Sequence, residues 1–234
     1  MTPPSISLVP LSGIPEIHPG DDLAKLIVEH GQLADGDVVV VTQKIVSKAE
    51  GRLVSVDPAD PLDHKRLVEA EAVRILRRRG DLVMTETSHG FVCANSGVDL
   101  SNVPAGYAAL LPTDPDGSAR QIRDGILARI GLRVGVIISD TFGRPWRRGV
   151  TDVAIGLAGV AGVVDLRGSA DGLGRQLAVT EVCVADELAA AAELVMGKAA
   201  RVPVAIIRGV DSSWLRESSV PEEIVRPYAE DLFR

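Results

Sequence analysis

Apolar positions along this chain alternate between short unbroken runs and longer stretches with helical spacing, a rhythm that predicts strands interleaved with helices. Val38-Val-Val-Val41, after an Asp35-Gly-Asp37 turn, and Val134-Gly-Val-Ile-Ile138 lack polar alternation, as expected of strands buried on both faces of a sheet. Ile6-Ser-Leu-Val-Pro10 and Pro203-Val-Ala-Ile-Ile207 read as further strands, and so do Leu82-Val-Met84, Phe91-Val-Cys93 and Ala178-Val-Thr-Glu-Val-Cys-Val184. Helical spacing marks Leu23, Leu26 and Ile27 behind Gly20-Asp-Asp. It marks residues 63–79 through Leu67, Val68, Ala72, Ile75 and Leu76, with Arg77-Arg-Arg79 in a last turn where the helix dipole favours cations. Ser118 is the expected cap of another helix, with Ile122, Ile126, Leu127 and Ile130 on one face and Gly131 beyond it. Asp186-Glu187 opens an Ala-rich helix to about Met196. Residues 149–164 fit either a tightly packed helix or glycine-broken strands.

Composition narrows this to an α/β enzyme. The 234 residues are 46% hydrophobic but only 3% aromatic, so the core is built from Val, Ala, Leu and Ile, in one domain over 1–234 or two interleaved subdomains. A net charge of −7 repels phosphate polymers, which argues against a nucleic-acid partner. Cys93 and Cys183 sit in apolar contexts without metal-ligand spacing and read as core residues. Met1-Thr-Pro-Pro-Ser5 has no basic or apolar leader character, and Gly156, Gly159 and Gly162 interrupt the longest apolar stretch, so a cytoplasmic protein without membrane contact is expected.

Three polar loops follow predicted strands and carry the candidate chemistry: 42–48, 95–102 and 139–149. The third, Ser139-Asp-Thr-Phe-Gly-Arg-Pro-Trp-Arg-Arg-Gly149, reads as a turn at a strand end. Asp140 there suits either a hard divalent cation or an Asx-turn, and Arg144, Arg147 and Arg148 suit a phosphate or carboxylate. Asp99 with Asn102 forms a second oxygen site or an ordinary turn. Lys44 and Lys48 are placed to neutralise nucleotide phosphates, although neither a P-loop nor a Rossmann glycine motif is present. His89 is a general base or a turn residue.

Three long motifs in order carry a family resemblance: Val38-Val-Val-Val-Thr-Gln-Lys-Ile-Val-Ser-Lys-Ala-Glu-Gly-Arg52, His89-Gly-Phe-Val-Cys-Ala-Asn-Ser-Gly-Val-Asp-Leu-Ser-Asn102, and the 139–149 segment. With Ala185-Asp-Glu-Leu-Ala-Ala-Ala-Ala-Glu-Leu-Val-Met-Gly197, the chain from about Ile6 to Gly209 resembles the coenzyme F420-0:L-glutamate ligase family.

The resemblance implies a mixed-sheet α/β ligase fold and an intertwined homodimer. The activity it implies is GTP-dependent amide formation between L-glutamate and the lactyl carboxylate of a deazaflavin coenzyme precursor, F420-0 or its dehydro form. Further glutamates can follow. It assigns Mg²⁺ or Mn²⁺ to Asp99, Asp140 and Thr141. It assigns GTP contacts to Ile14, Pro15, Glu16, Ile17, Thr42, Gln43, Lys48, Asn102, Met196 and Gly197; for an acyl-phosphate mechanism the expected catalytic set is Asp140, Asp99 and Lys48. Where some members place a metal-binding glutamine after the Met-Gly pair, this chain has Lys198, which has no lone pair to give while protonated. Longer relatives continue into a flavin-binding reductase-like domain, which 1–234 does not include. Two other readings stand beside this one: a metal-dependent phosphotransferase or phosphatase, and a non-catalytic deazaflavin-binding module.

Overall fold

A computed structural model describes residues 5–232, so most of the leader reading at Met1-Thr-Pro-Pro-Ser5 lies outside the described residues. In chain order the first half forms β1 (Ser7–Pro10), α1 (Leu23–His30), β2 (Val38–Thr42), α2 (Gln43–Ala49), β3 (Leu53–Ser55), α3 (Lys65–Glu71), β4 (Ala72–Arg79), β5 (Leu82–Thr87), β6 (Val92–Ala94) and β7 (Tyr107–Ala109). The second half forms α4 (Pro115–Ile130), β8 (Gly135–Gly143), β9 (Val150–Ala158), β10 (Val164–Asp165), β11 (Glu181–Val182), α5 (Val184–Met196), β12 (Val204–Arg208) and α6 (Val220–Glu223). Among the described residues no helix is long and apolar enough to cross a membrane.

The α/β class holds, and the sheet is mixed. Five strands pair in the order β1-β12-β2-β8-β9, with β2 and β8 parallel and the other neighbours antiparallel. Val38, Val39, Val40 and Val41 have no exposed surface, and α2, α4 and α5 pack against the central pair. Burial of each such side chain contributes about 1.5–3 kcal/mol, so the two unbroken apolar runs hold the centre of the molecule. Around this sheet lie a three-stranded sheet, β4-β5-β6, and the pairs β3-β7 and β10-β11. A second, smaller apolar cluster of Leu67, Ala108 and Leu110 lies apart from the main core.

Four expectations change. The helix predicted over 63–79 ends at Glu71, and Ala72–Arg79 instead pairs antiparallel with β5 through a two-residue Gly80-Asp81 loop, with Gly80 at φ 57°. Glycine tolerates the positive φ that tight hairpins need, and ladder pairing outweighs helical spacing here. The arginines expected in a helix's last turn are strand residues; Arg78 pairs with Glu69 at 2.8 Å. The cap of α4 is Asp114, whose carboxylate accepts from Gly117 N at 2.8 Å, while Ser118 is buried one turn inside. Ser139-Asp140-Thr141 is not a turn but part of β8, which removes the Asx-turn reading; the chain reverses only between Gly143 and Val150. Of the strand read over 178–184, only Glu181 and Val182 pair, and Val179 is 84% exposed because its apolar positions face no neighbouring layer.

Residues 149–164 resolve in favour of strand. A side chain on Gly156 of β9 would meet the Pro115 carbonyl oxygen at 2.4 Å, so the close approach of α4 to the sheet requires glycine there. Gly156→Ala is therefore expected to destabilise the fold by about 1–3 kcal/mol in urea titration. An unchanged midpoint would show that α4 shifts freely.

Candidate functional site

The sheet topology puts many chain ends at one edge. β1, β2 and β8 run the same way and finish there, while β12 and β9 begin there. The parallel register sets Thr42 directly beside Ser139, and Thr42 N donates to Pro203 O at 2.9 Å, closing the third side. Beyond this edge opens a cavity of about 560 Å³, lined by Ile14, Pro15, Glu16, Ile17, Thr42, Gln43, Lys44, Lys48, Asn102, Ser139, Asp140, Thr141, Asp152, Glu193, Gly197, Lys198 and Arg201, among others. Its size suits a nucleotide-sized ligand.

Strand periodicity divides the chemistry of β8. Successive side chains point to opposite faces, so Ser139 and Thr141 share one face and Asp140 takes the other. A one-residue bulge at the step from Ile138 to Ser139 sets Thr141 opposite Asp152 of β9. Asp152 is 3% exposed and accepts from Ser139 Oγ at 2.9 Å and from Thr141 Oγ1 at 2.5 Å. Lys198 Nζ in turn donates to Thr141 Oγ1. Asn102 Nδ2 donates to the Lys198 carbonyl at 3.2 Å.

Asp140 reaches the cavity but is otherwise enclosed by protein. Burial pushes its carboxyl up to about 7; Asp99 and Asp152 add like charge, and only the Thr141 N–H and Lys198 act against them. At Asp99, burial also raises the carboxyl, but Lys44, which donates to it at 2.5 Å, and the Ser101 N–H outweigh that and hold it below the usual range. Lys44 donates to Ser101 Oγ at 2.8 Å as well, so this cation serves the Asp99 loop. Lys48, 6% exposed, donates to Glu16 across the cavity wall. Burial and the charge of Asp152 raise Glu193 against the opposing charge of Lys198. Among the described residues no three His, Cys, Asp or Glu side chains form a self-sufficient metal cage.

The first loop and the start of the third thus converge, with Asn102 from the second. Gln43 lines the wall while its amide nitrogen is committed to Ser47 Oγ at 2.8 Å and Leu110 O at 3.0 Å. Met196 is fully buried and does not line the cavity, whereas Gly197, Lys198, Arg201, Val202 and Pro203 beyond it do. Arg144, Arg147 and Arg148 are exposed on the β8–β9 connection and do not line the cavity. His89 does not line the cavity: its Nε2 lies 2.9 Å from the Pro112 carbonyl, which can only accept, and its ring stacks on Phe91 at 5.3 Å. Burial pushes both Cys93 and Cys183 up to about 12, in keeping with inert core thiols. Sequence reasoning missed Asp152 and Glu193 as cavity residues. An acid inside the apolar β9 run was the available signal for Asp152, and it becomes readable once β8 and β9 are known to form a hairpin.

Sequence comparison decides the family. The family model described as F420-0:Gamma-glutamyl ligase matches residues 13–209. The chain belongs to this ligase family. The coenzyme F420:L-glutamate ligase of Methanothermobacter thermautotrophicus is 46% identical, with 98% of this chain and 99% of the relative covered. Proteins of the same name from Methanopyrus kandleri and Archaeoglobus fulgidus are 43% and 41% identical, again over nearly the full length of both chains (99% and 98%; 98% and 96%). The family match spans every element that lines the cavity.

The raised Asp140 carboxyl has a stability consequence with a definite sign. Folded Asp140 titrates at about 7, while an unfolded aspartate titrates near 3.9, so the folded chain binds the extra proton between these values and loses stability as pH rises through that window. Asp140→Asn removes this cost. Its stability advantage over the native chain should grow by on the order of 2 kcal/mol from pH 5 to pH 8 in parallel denaturation series. An advantage independent of pH would contradict the burial of this charge.

Proposed function

We propose that this protein is a GTP-dependent ligase that joins L-glutamate to the lactyl carboxylate of coenzyme F420-0 through an amide bond, and that further glutamates can follow. The observation that carries the reading is the meeting of Glu16, Lys48, Thr42, Asp140 and Thr141 around one nucleotide-sized cavity, in a chain alike over its full length to ligases of that name. A carboxylate is a poor electrophile. Its oxygen therefore attacks the γ-phosphorus of GTP, breaking the bond to the β-phosphate bridge oxygen and forming an acyl phosphate. The glutamate nitrogen then attacks the carbonyl carbon, phosphate leaves, and the amine gives up its proton.

In this reading Lys48 turns from Glu16 to the nucleotide phosphates. Thr42, the 14–17 segment and Asn102 position the nucleotide. Mg²⁺ or Mn²⁺ fits the donor set on the Asp140 face, because a buried carboxylate raised by like charge is the group that a hard cation relieves. Asp140 and Asp99 would hold the ion, next to Thr141, with remaining oxygens from nucleotide and water. An ion held there would supply positive charge against the phosphates. The exposed Arg144, Arg147 and Arg148 would meet the anionic end of a coenzyme longer than the cavity. The reading also includes a cytosolic homodimer. The β10–β11 arm, with Leu173 97% and Val179 84% exposed, supports it by presenting apolar surface for a second copy.

Mass spectrometry of the protein incubated with F420-0, GTP, Mn²⁺ and glutamate should reveal product heavier by one or more glutamyl increments. Asp140→Ala and Asp99→Ala should retain their circular dichroism and lose roughly 100-fold or more in rate. GTP hydrolysis without glutamate incorporation would instead indicate a phosphotransferase, and tight coenzyme binding without product under any nucleotide would indicate a binding module. For assembly, sedimentation should give twice the 24.7 kDa chain mass, and Leu173→Asp should shift it toward monomer.

A further inference from the structure

Two faces of β8 border the cavity, and each carries negative charge. Asp140 with Asp99 lies on one face; Thr141, Asp152 and Glu193 lie on the other. On the first face Lys44, itself a cavity-lining residue, is paired with Asp99. On the second face the counter-charge comes from Lys198, which bonds Thr141 there and whose charge also reaches Asp140. It is held from two directions: Nζ donates to Thr141 Oγ1, and its own carbonyl accepts from Asn102 at 3.2 Å.

The chain geometry explains this placement. α5 ends at Met196, which is locked in the core, and Gly197 at φ 61° turns the backbone so that the next side chain enters the cavity. The Thr141 hydroxyl donates its proton to Asp152 at 2.5 Å and accepts from the ammonium. An ion that used this oxygen would sit against a fixed positive charge. A lysine offers donors only, so it can neutralise the face but cannot ligate a metal.

We infer that Lys198 is a tethered cation that takes the place of a divalent ion on the Thr141–Asp152–Glu193 face, so that each catalytic cavity takes one divalent ion, on the Asp99–Asp140 face. This rests on the proposed nucleotide-and-metal reading of the cavity. Its consequence is a lower demand for free metal, since part of the counter-charge belongs to the chain itself. Lys198 acts here as a positioning residue for the phosphates that the same face borders.

The test is the Mn²⁺ count per chain, measured by the electron paramagnetic resonance of unbound Mn²⁺ at saturating guanylyl imidodiphosphate. The native protein should bind one ion per chain in total, counting any ion that the nucleotide carries into the cavity. Lys198→Gln should bind one more than the native protein, and Lys198→Arg should match the native count. A native count already one higher, or no gain in Lys198→Gln, overturns the inference while leaving the metal reading intact. No protein-dependent Mn²⁺ binding in any variant overturns both. If Lys198→Gln fails to fold, the native count and that of Lys198→Ala decide between the same outcomes.

Discussion

Everything at the site depends on the parallel pairing of β2 with β8. These two strands are buried on both faces and held in a register that sets Thr42 beside Ser139. Parallel strands deliver their carboxyl ends to the same edge, and both chains leave that edge carrying polar groups. β12, antiparallel to β2, starts where they finish, so the Gly197 to Pro203 connection closes over the same opening. A one-residue slip would turn Asp140 and Thr141 to the opposite faces.

Charge is the second organising constraint. The cavity gathers Glu16, Asp140, Asp152 and Glu193 on its wall, with Asp99 close behind, in a protein that is already net negative. Such a cluster persists because much of it is matched: Lys44 on Asp99, Lys48 on Glu16, hydroxyls on Asp152, and Lys198 near Thr141. Burial, with like charge from Asp99 and Asp152, pushes the Asp140 carboxyl up to about 7. The separation of faces along β8 turns one negative patch into two with different counter-charges.

Much of this was legible in the chain itself. Unbroken apolar runs identify β2, β8 and β12 because burial on both faces leaves no room for polar alternation, and helical spacing identifies α1, α4 and α5. Three ordered motifs suffice for the family resemblance that comparison bears out over residues 13–209. Other features have no local signature. Residues 72–79 have helical spacing yet form a strand, because pairing with β5 is a contact between segments that local spacing does not encode. Asp140 looks like a turn residue until β9 extends β8 through it. Asp152 and Glu193 join the cavity only through the hairpin and the end of α5. Sequence by itself therefore determined which segments are buried and which residue types gather at strand ends, since both follow from local pattern. Tertiary structure alone decided which face of β8 each group occupies and which lysine meets which acid, because strand register and the paths of connecting segments set those distances.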